Sequence, residues 1–130
     1  MLATLSLLLA RFIGTAGFIS GVIWVSTPIR SLSIFGLPPT HITPLTSTLG
    51  PSLGGRNMAS GLVILILSFY AERQVTGVVM AVIGSGSGVL DTVVCVRAGQ
   101  DGKGNRGVGW KRHLVNLGIF YAVAGMLFLS

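Results

Sequence analysis

One carboxylate stands inside an apolar stretch. Asp91 lies late in Gln74–Arg97, QVTGVVMAVIGSGSGVLDTVVCVR, where small and aliphatic side chains surround it. An ionisable group within a membrane span costs about 2.5–3.5 kcal/mol on insertion scales, so such groups are kept where they face a partner or a wet cavity. Other polar residues sit at comparable places: Arg56 and Asn57 open one hydrophobic run, His113 and Asn116 open another, Arg11 lies within the first, and Tyr121 follows His113. His113 and Asn116, three apart, share a helix face. Together these groups suit acid–base work on a lipophilic substrate. A carboxylate can take a proton from water or attack directly, a guanidinium favours its charged form, an amide orients the water, and an imidazole returns a proton to a developing alkoxide. The expected catalytic set is Asp91, His113, Arg56 and Asn57, with Arg11, Asn116 and Tyr121 against the substrate.

Plainer roles exist for each of these residues. Arg56 and His113 at span ends suit snorkelling to headgroups, Asn57 suits a helix cap, and Asp91 with Arg56 suits an ion pair that only joins two helices. Other chemistries lack their parts. No second carboxylate lies near Asp91 for glycosidase work. The chain has no Gly-x-Ser-x-Gly elbow, His-rich metal cluster or phosphate loop. The lone Cys95 excludes an internal disulfide and a cysteine metal site. No cofactor or metal is expected.

The elements that must position these residues are helices. Apolar segments cover about 2–25, 56–71, 75–96 and 111–129, and none shows the alternation of a membrane strand. Hydrophobic residues make up 51% of the 130 and charged residues 9%, with mean hydropathy +0.81. Soluble domains carry roughly a quarter charged residues, so the chain reads as a single-domain, all-α integral membrane four-helix bundle. Met1–Ala10 resembles the apolar core of a signal sequence but lacks a charged start, and is read as part of a retained first span. Small residues spaced four apart predict close helix packing: Gly17 with Gly21, Gly77 with Ala81 and Ser85, Gly84 with Gly88, Gly118 with Ala122. Gly84-Ser85-Gly86-Ser87-Gly88 is read as packing, and Gly84, Gly88, Asp91 and Cys95 as one stripe.

A tight turn at Ala71–Gln74 makes a hairpin of the second and third spans. The first loop, Ser26–Gly55, is long and holds all five prolines (Pro28, Pro38, Pro39, Pro44, Pro51). Loops of that length are often lids or binding segments, and Ile34, Phe35 and Leu37 are placed to guard a lateral entrance. Residues 98–112 form a Gly-rich basic loop. The first and third loops carry Arg30, Arg56, Arg97, Lys103, Arg106, Lys111 and Arg112, against Arg73 beside Glu72 on the other side. Basic loops mark the cytosolic side, which explains the net charge of +6 without nucleic acid, since no basic run is interleaved with aromatics.

Gly55-Arg56-Asn57, an aspartate late in the next helix at 91 and a histidine opening the last helix at 113 form a pattern. It resembles a family of small four-helix membrane proteins of undefined function from bacteria and fungi, over about residues 10–128. Within that group the chain is similar to the small membrane epoxide hydrolases of fungal polyene-pyrone biosynthesis, of the aurovertin and citreoviridin type. The resemblance implies opening of polyketide-derived epoxides in secondary metabolism, by water or an internal hydroxyl, to diols or cyclic ethers. It also implies an endoplasmic reticulum location in a eukaryote, and assigns the polar positions to Arg56, Asn57, Asp91 and His113. The first loop is longer than that of the shorter bacterial members.

The sequence therefore leads to a membrane-embedded epoxide hydrolase or epoxide-opening cyclase, with a hydrophobic small molecule and the lipid bilayer as partners and a homo-oligomer possible. Two other classes compete. A non-catalytic scaffold or assembly subunit requires a dry, filled bundle with Asp91 and Arg56 paired. A small lipophile carrier requires a continuous polar path, against which the nearly all-apolar deeper halves count.

Overall fold

The structure, a computed structural model, describes residues 1–37, 41–100 and 109–130. Among these residues it is helical with no strand. The helices are α1 (Leu2–Ser26), α2 (Pro28–Phe35), α3 (Pro44–Ser47), α4 (Leu49–Tyr70), α5 (Arg73–Gly84), α6 (Leu90–Gln100) and α7 (Gly109–Leu129), with a π-helical turn at Ser85–Val89 between α5 and α6. Four spans are long and apolar enough to cross a membrane: Leu2–Ser26, Pro44–Tyr70, Arg73–Arg97 and Gly109–Leu129. The four-helix bundle expected from hydropathy is what forms.

The start of the second span departs from expectation. Pro44, Gly50, Pro51, Gly54 and Gly55 read as loop, yet α3 and α4 cover all of them. Proline is tolerated in a first helical turn, where its missing N–H would be unpaired anyway. Pro44 opens α3 behind a Thr43–Thr46 capping box, and Pro51 falls in the first turn of α4. Arg56 and Asn57 consequently lie two turns inside α4 rather than at its mouth. The long first loop shrinks in turn, because Pro28–Phe35 is helix α2. Pro38 and Pro39 lie outside the described residues, as do Lys103 and Arg106.

Glycine sets the closest contact. α1 and α4 run antiparallel with backbones nearly touching: a Cβ on Gly61 would lie 2.4 Å from the Phe18 nitrogen and 2.5 Å from the Gly14 oxygen, and one on Gly21 would lie 2.6 Å from the Gly54 oxygen. The second seam, between α5 and α7, uses Gly77 against the Ala124 carbonyl at 2.9 Å, then Gly84 against Phe120 and Gly88 against Leu117. Gly84 and Gly88 do pack as expected. Gly118 does not: nothing lies within 4 Å of where its Cβ would be, because five residues beyond His113 turn it about 140° away from the bundle.

The two helix pairs meet at one end. Ala10 of α1, Ile64 of α4, Met80 of α5 and Val123, Ala124 and Leu127 of α7 form a buried cluster there. Towards the other end α4 and α6 scarcely touch, and α2 fills the opening. α2 is seated at both termini, with Gly50 against Pro28 and Gly36 against Gly109, where an added Cβ would lie 2.5 Å from its neighbour in each case.

Candidate functional site

A cavity of about 460 Å³ occupies the space between the pairs, within the roughly 300–1,000 Å³ typical of ligand sites. Arg56, Asn57, Asp91, His113 and Asn116 all line it. Asp91 is buried, and its two oxygens receive the fork of Arg56: Nη1 donates to Oδ1 at 3.0 Å and Nη2 to Oδ2 at 2.9 Å. Such a paired contact is the strong, oriented form of ion pair. Arg56 Nη2 also donates to the Asn57 side-chain oxygen Oδ1 at 3.5 Å. The Arg56 Nε is buried without a partner among the described residues.

The π-helical turn aims the carboxylate. It widens the helix just before Asp91, and π-turns of this kind recur at functional sites. Ser85 opens it and Thr92 follows it, their hydroxyls donating back to the Ala81 and Gly88 carbonyls at 2.7 Å each. Gly84 and Gly88 bring the widened segment against α7, so Asp91 faces the histidine that opens that helix.

His113 is held from the other side. Its Nε2 lies 3.0 Å from the Phe35 carbonyl oxygen, and Nδ1 lies 4.0 Å from Asp91 Oδ2. A carbonyl only accepts, so Nε2 carries a proton and Nδ1 faces the carboxylate. The Phe35 ring packs on the imidazole with centroids 4.7 Å apart, and Trp24 meets Phe35 edge-on at 5.5 Å. The grip follows from how α2 ends. Gly36 adopts φ 109°, a left-handed cap that favours glycine. The N–H groups of Gly36 and Leu37 return to the Leu32 and Ser33 carbonyls. The two remaining end carbonyls go elsewhere: Ile34 accepts from Arg112 Nη1 at 2.7 Å, and Phe35 accepts from His113 and from Cys95 Sγ at 3.4 Å. The sequence pointed to Ile34 and Phe35 as guards through their side chains; their backbone oxygens were not legible.

Two expected substrate contacts lie elsewhere. Arg11 does not line the cavity; its Nη2 donates to the Ser68 carbonyl at 3.2 Å and its guanidinium lies 4.0 Å from the Phe69 ring centroid. Side chains lean towards their helix N-terminus, which carries Arg11 towards the last turn of α4 and away from Asp91. Tyr121 is half-exposed and shares a hydrogen bond with Ser85 outside the cavity. Eight residues past His113 place it about 80° round the helix, whereas Phe120, about 20° off, lines the pocket.

Ser20, Trp24 and Ser60, which carry no role in the sequence pattern, also line the cavity, as does Ser87 of the segment read as packing. A stripe count could have found Ser60, four after Arg56. The same count finds Ser87, four before Asp91.

Residues 14–127 match the model of a domain of unknown function, DUF4267, and the chain belongs to that family. No curated protein and no solved structure matches it.

Proposed function

Taking membership of a family with no assigned function as the premise, we propose that the chain is a membrane-embedded epoxide hydrolase or epoxide-opening cyclase acting on a hydrophobic polyketide. The observation that carries this reading is the cavity itself: a buried carboxylate, gripped by a guanidinium and facing an imidazole, opens onto a ligand-sized space inside an otherwise apolar bundle.

The roles follow from the contacts. Water, or a substrate hydroxyl in the cyclase variant, gives a proton to Asp91 as its oxygen attacks an epoxide carbon. The carbon–oxygen bond breaks, and the released oxygen takes a proton from His113 in its charged form. The proton then passes from Asp91 to His113 through a water spanning the 4.0 Å between them, restoring both groups. Arg56 and Asn57 position the carboxylate. The two-point grip of Arg56 supports base over nucleophile, since forming an ester would pull an oxygen out of the fork.

Charge placement supports an orientation with the Arg56–Asp91 end cytosolic. Arg30, Arg56, Arg97, Lys111 and Arg112 belong to that end, and Arg73 beside Glu72 to the other. In a eukaryotic cell the endoplasmic reticulum membrane fits this reading.

A second reading rests on a specific observation. The Arg56–Asp91 pair bridges α4 and α6 where those helices scarcely touch otherwise, as a strut in a non-catalytic scaffold would. Purified protein incubated with a polyene epoxide, native against Asp91→Asn, separates the two. The enzyme reading expects turnover that falls at least about 100-fold in the variant; equal turnover by both removes Asp91 from the chemistry.

A further inference from the structure

Arg56, Asp91 and His113 form one polar layer, and a second layer lies beneath it. Ser60 follows Arg56 by four residues, Ser87 precedes Asp91 by four, and Asn116 follows His113 by three. α4 and α7 run inward from this end while α5 and α6 run outward, so all three fall about one helical turn deeper, roughly 5 Å. All three line the cavity. One turn deeper still the lining is Ile64, Ile83 and Phe120, and polarity has ended.

Among the described residues, the second layer has no hydrogen-bond partner. Many serine and threonine hydroxyls elsewhere in the spans turn back to carbonyls of their own helix, as Thr15 does to Arg11, Ser68 to Leu65, Thr76 to Glu72 and Thr92 to Gly88. Among the described residues, the Ser60 and Ser87 hydroxyls and the amide of the more exposed Asn116 make no such bond, and all three residues line the cavity. Ser60 and Ser87 are half-buried beside apolar side chains, where a hydroxyl without a partner gains from a ligand oxygen. Three such polar groups on three elements, at one depth, in one cavity, form a surface made to hydrogen-bond an oxygen.

On the reading that this cavity is the substrate site, we infer that Ser60, Ser87 and Asn116 form a specificity subsite for a second oxygen function of the substrate. The ligand class is a linear lipophile with a reacting oxygen at the Asp91 layer, another oxygen roughly 5 Å along the chain, and plain hydrocarbon beyond, against Ile64, Ile83 and Phe120.

The test is a binding measurement, so it does not depend on turnover. Trp24 lines the cavity and reports occupancy by fluorescence, with Trp110→Phe removing the other tryptophan. Protein in lipid nanodiscs is titrated with a linear long-chain epoxide and with the same epoxide bearing a hydroxyl roughly 5 Å along the chain. The hydroxylated probe is expected to bind about 5- to 10-fold tighter, the span of one or two net hydrogen bonds. In the Ser60→Ala/Ser87→Ala double variant, which keeps the Arg56–Asp91 pair, that preference falls below about 2-fold while the plain epoxide binds as before. Equal binding of both probes to the native protein overturns the subsite, as does a preference that survives the double variant. Turnover measured in parallel keeps the two proposals apart. Discrimination without turnover upholds the subsite and refutes the hydrolase, whereas turnover without discrimination refutes only the subsite.

Discussion

Asp91 is the residue on which the site turns, and Arg56 is the residue that fixes it. The guanidinium fork is planar and two-pronged, which an ammonium cannot reproduce. Arg56→Lys is therefore expected to leave the bundle folded yet lower epoxide turnover on the order of 100-fold, the cost of a carboxylate misplaced by about an ångström. Arg56→Ala goes further by leaving Asp91 buried and unpaired. Breaking a fully buried pair costs about 3–5 kcal/mol. Arg56 is 33% exposed in its side chain, so about 2 kcal/mol is expected here, read as a lower unfolding midpoint in detergent. A merely structural pair would show the stability loss with Arg56→Ala and no change in chemistry with Arg56→Lys. Asp91 was legible from sequence because a lone acid in an apolar run is costly. Arg11 misled because charge alone says nothing of which way a side chain leans.

At the scale of elements, glycine decides which helices meet. Gly61→Ala drives a methyl into the α1 backbone and is expected to destabilise by about 1–3 kcal/mol, as overpacking does. Gly55→Ala, with nothing within 4 Å, is expected to be neutral or to stabilise by up to about 1 kcal/mol through helix propensity. Paired thermal unfolding of the two variants checks this. Gly36→Ala acts differently, through its φ of 109° and the contact with Gly109. It displaces the Phe35 carbonyl and frees His113, so nitrogen NMR of the imidazole is expected to lose the signature of the Nε2–H hydrogen bond to that carbonyl. An unchanged spectrum would mean that α2 does not hold the ring. The helices themselves could be read from hydropathy, but α2 could not: eight residues among prolines look like loop, and its place comes from glycine contacts at both ends and from the α7 and α6 donors that take up its last two carbonyls.

For the whole molecule, the fold is two glycine-sealed helix pairs joined at one end and wedged apart at the other, which is why a cavity exists at all. Hydropathy makes the bundle legible, and antiparallel order makes it legible that Arg56, Asp91 and His113 share a depth. The cavity is not legible, because it follows from which faces the glycines bring together and from a π-helical turn at Ser85–Val89. Orientation is open to direct measurement: cysteines at Tyr70 and Lys111 in separate variants are expected to label from opposite sides of sealed vesicles, over a low background because Cys95 is fully buried. Labelling from the same side would contradict the topology. The most direct measurement of the central claim is a single turnover of a polyene epoxide in heavy-oxygen water, with recovered product and recovered protein both analysed. The expected result is heavy oxygen in the product diol, none in the Asp91 carboxylate, and no product from Asp91→Asn on the same timescale. Label arriving first in Asp91, or product forming equally fast without its charge, would contradict the base role assigned to it.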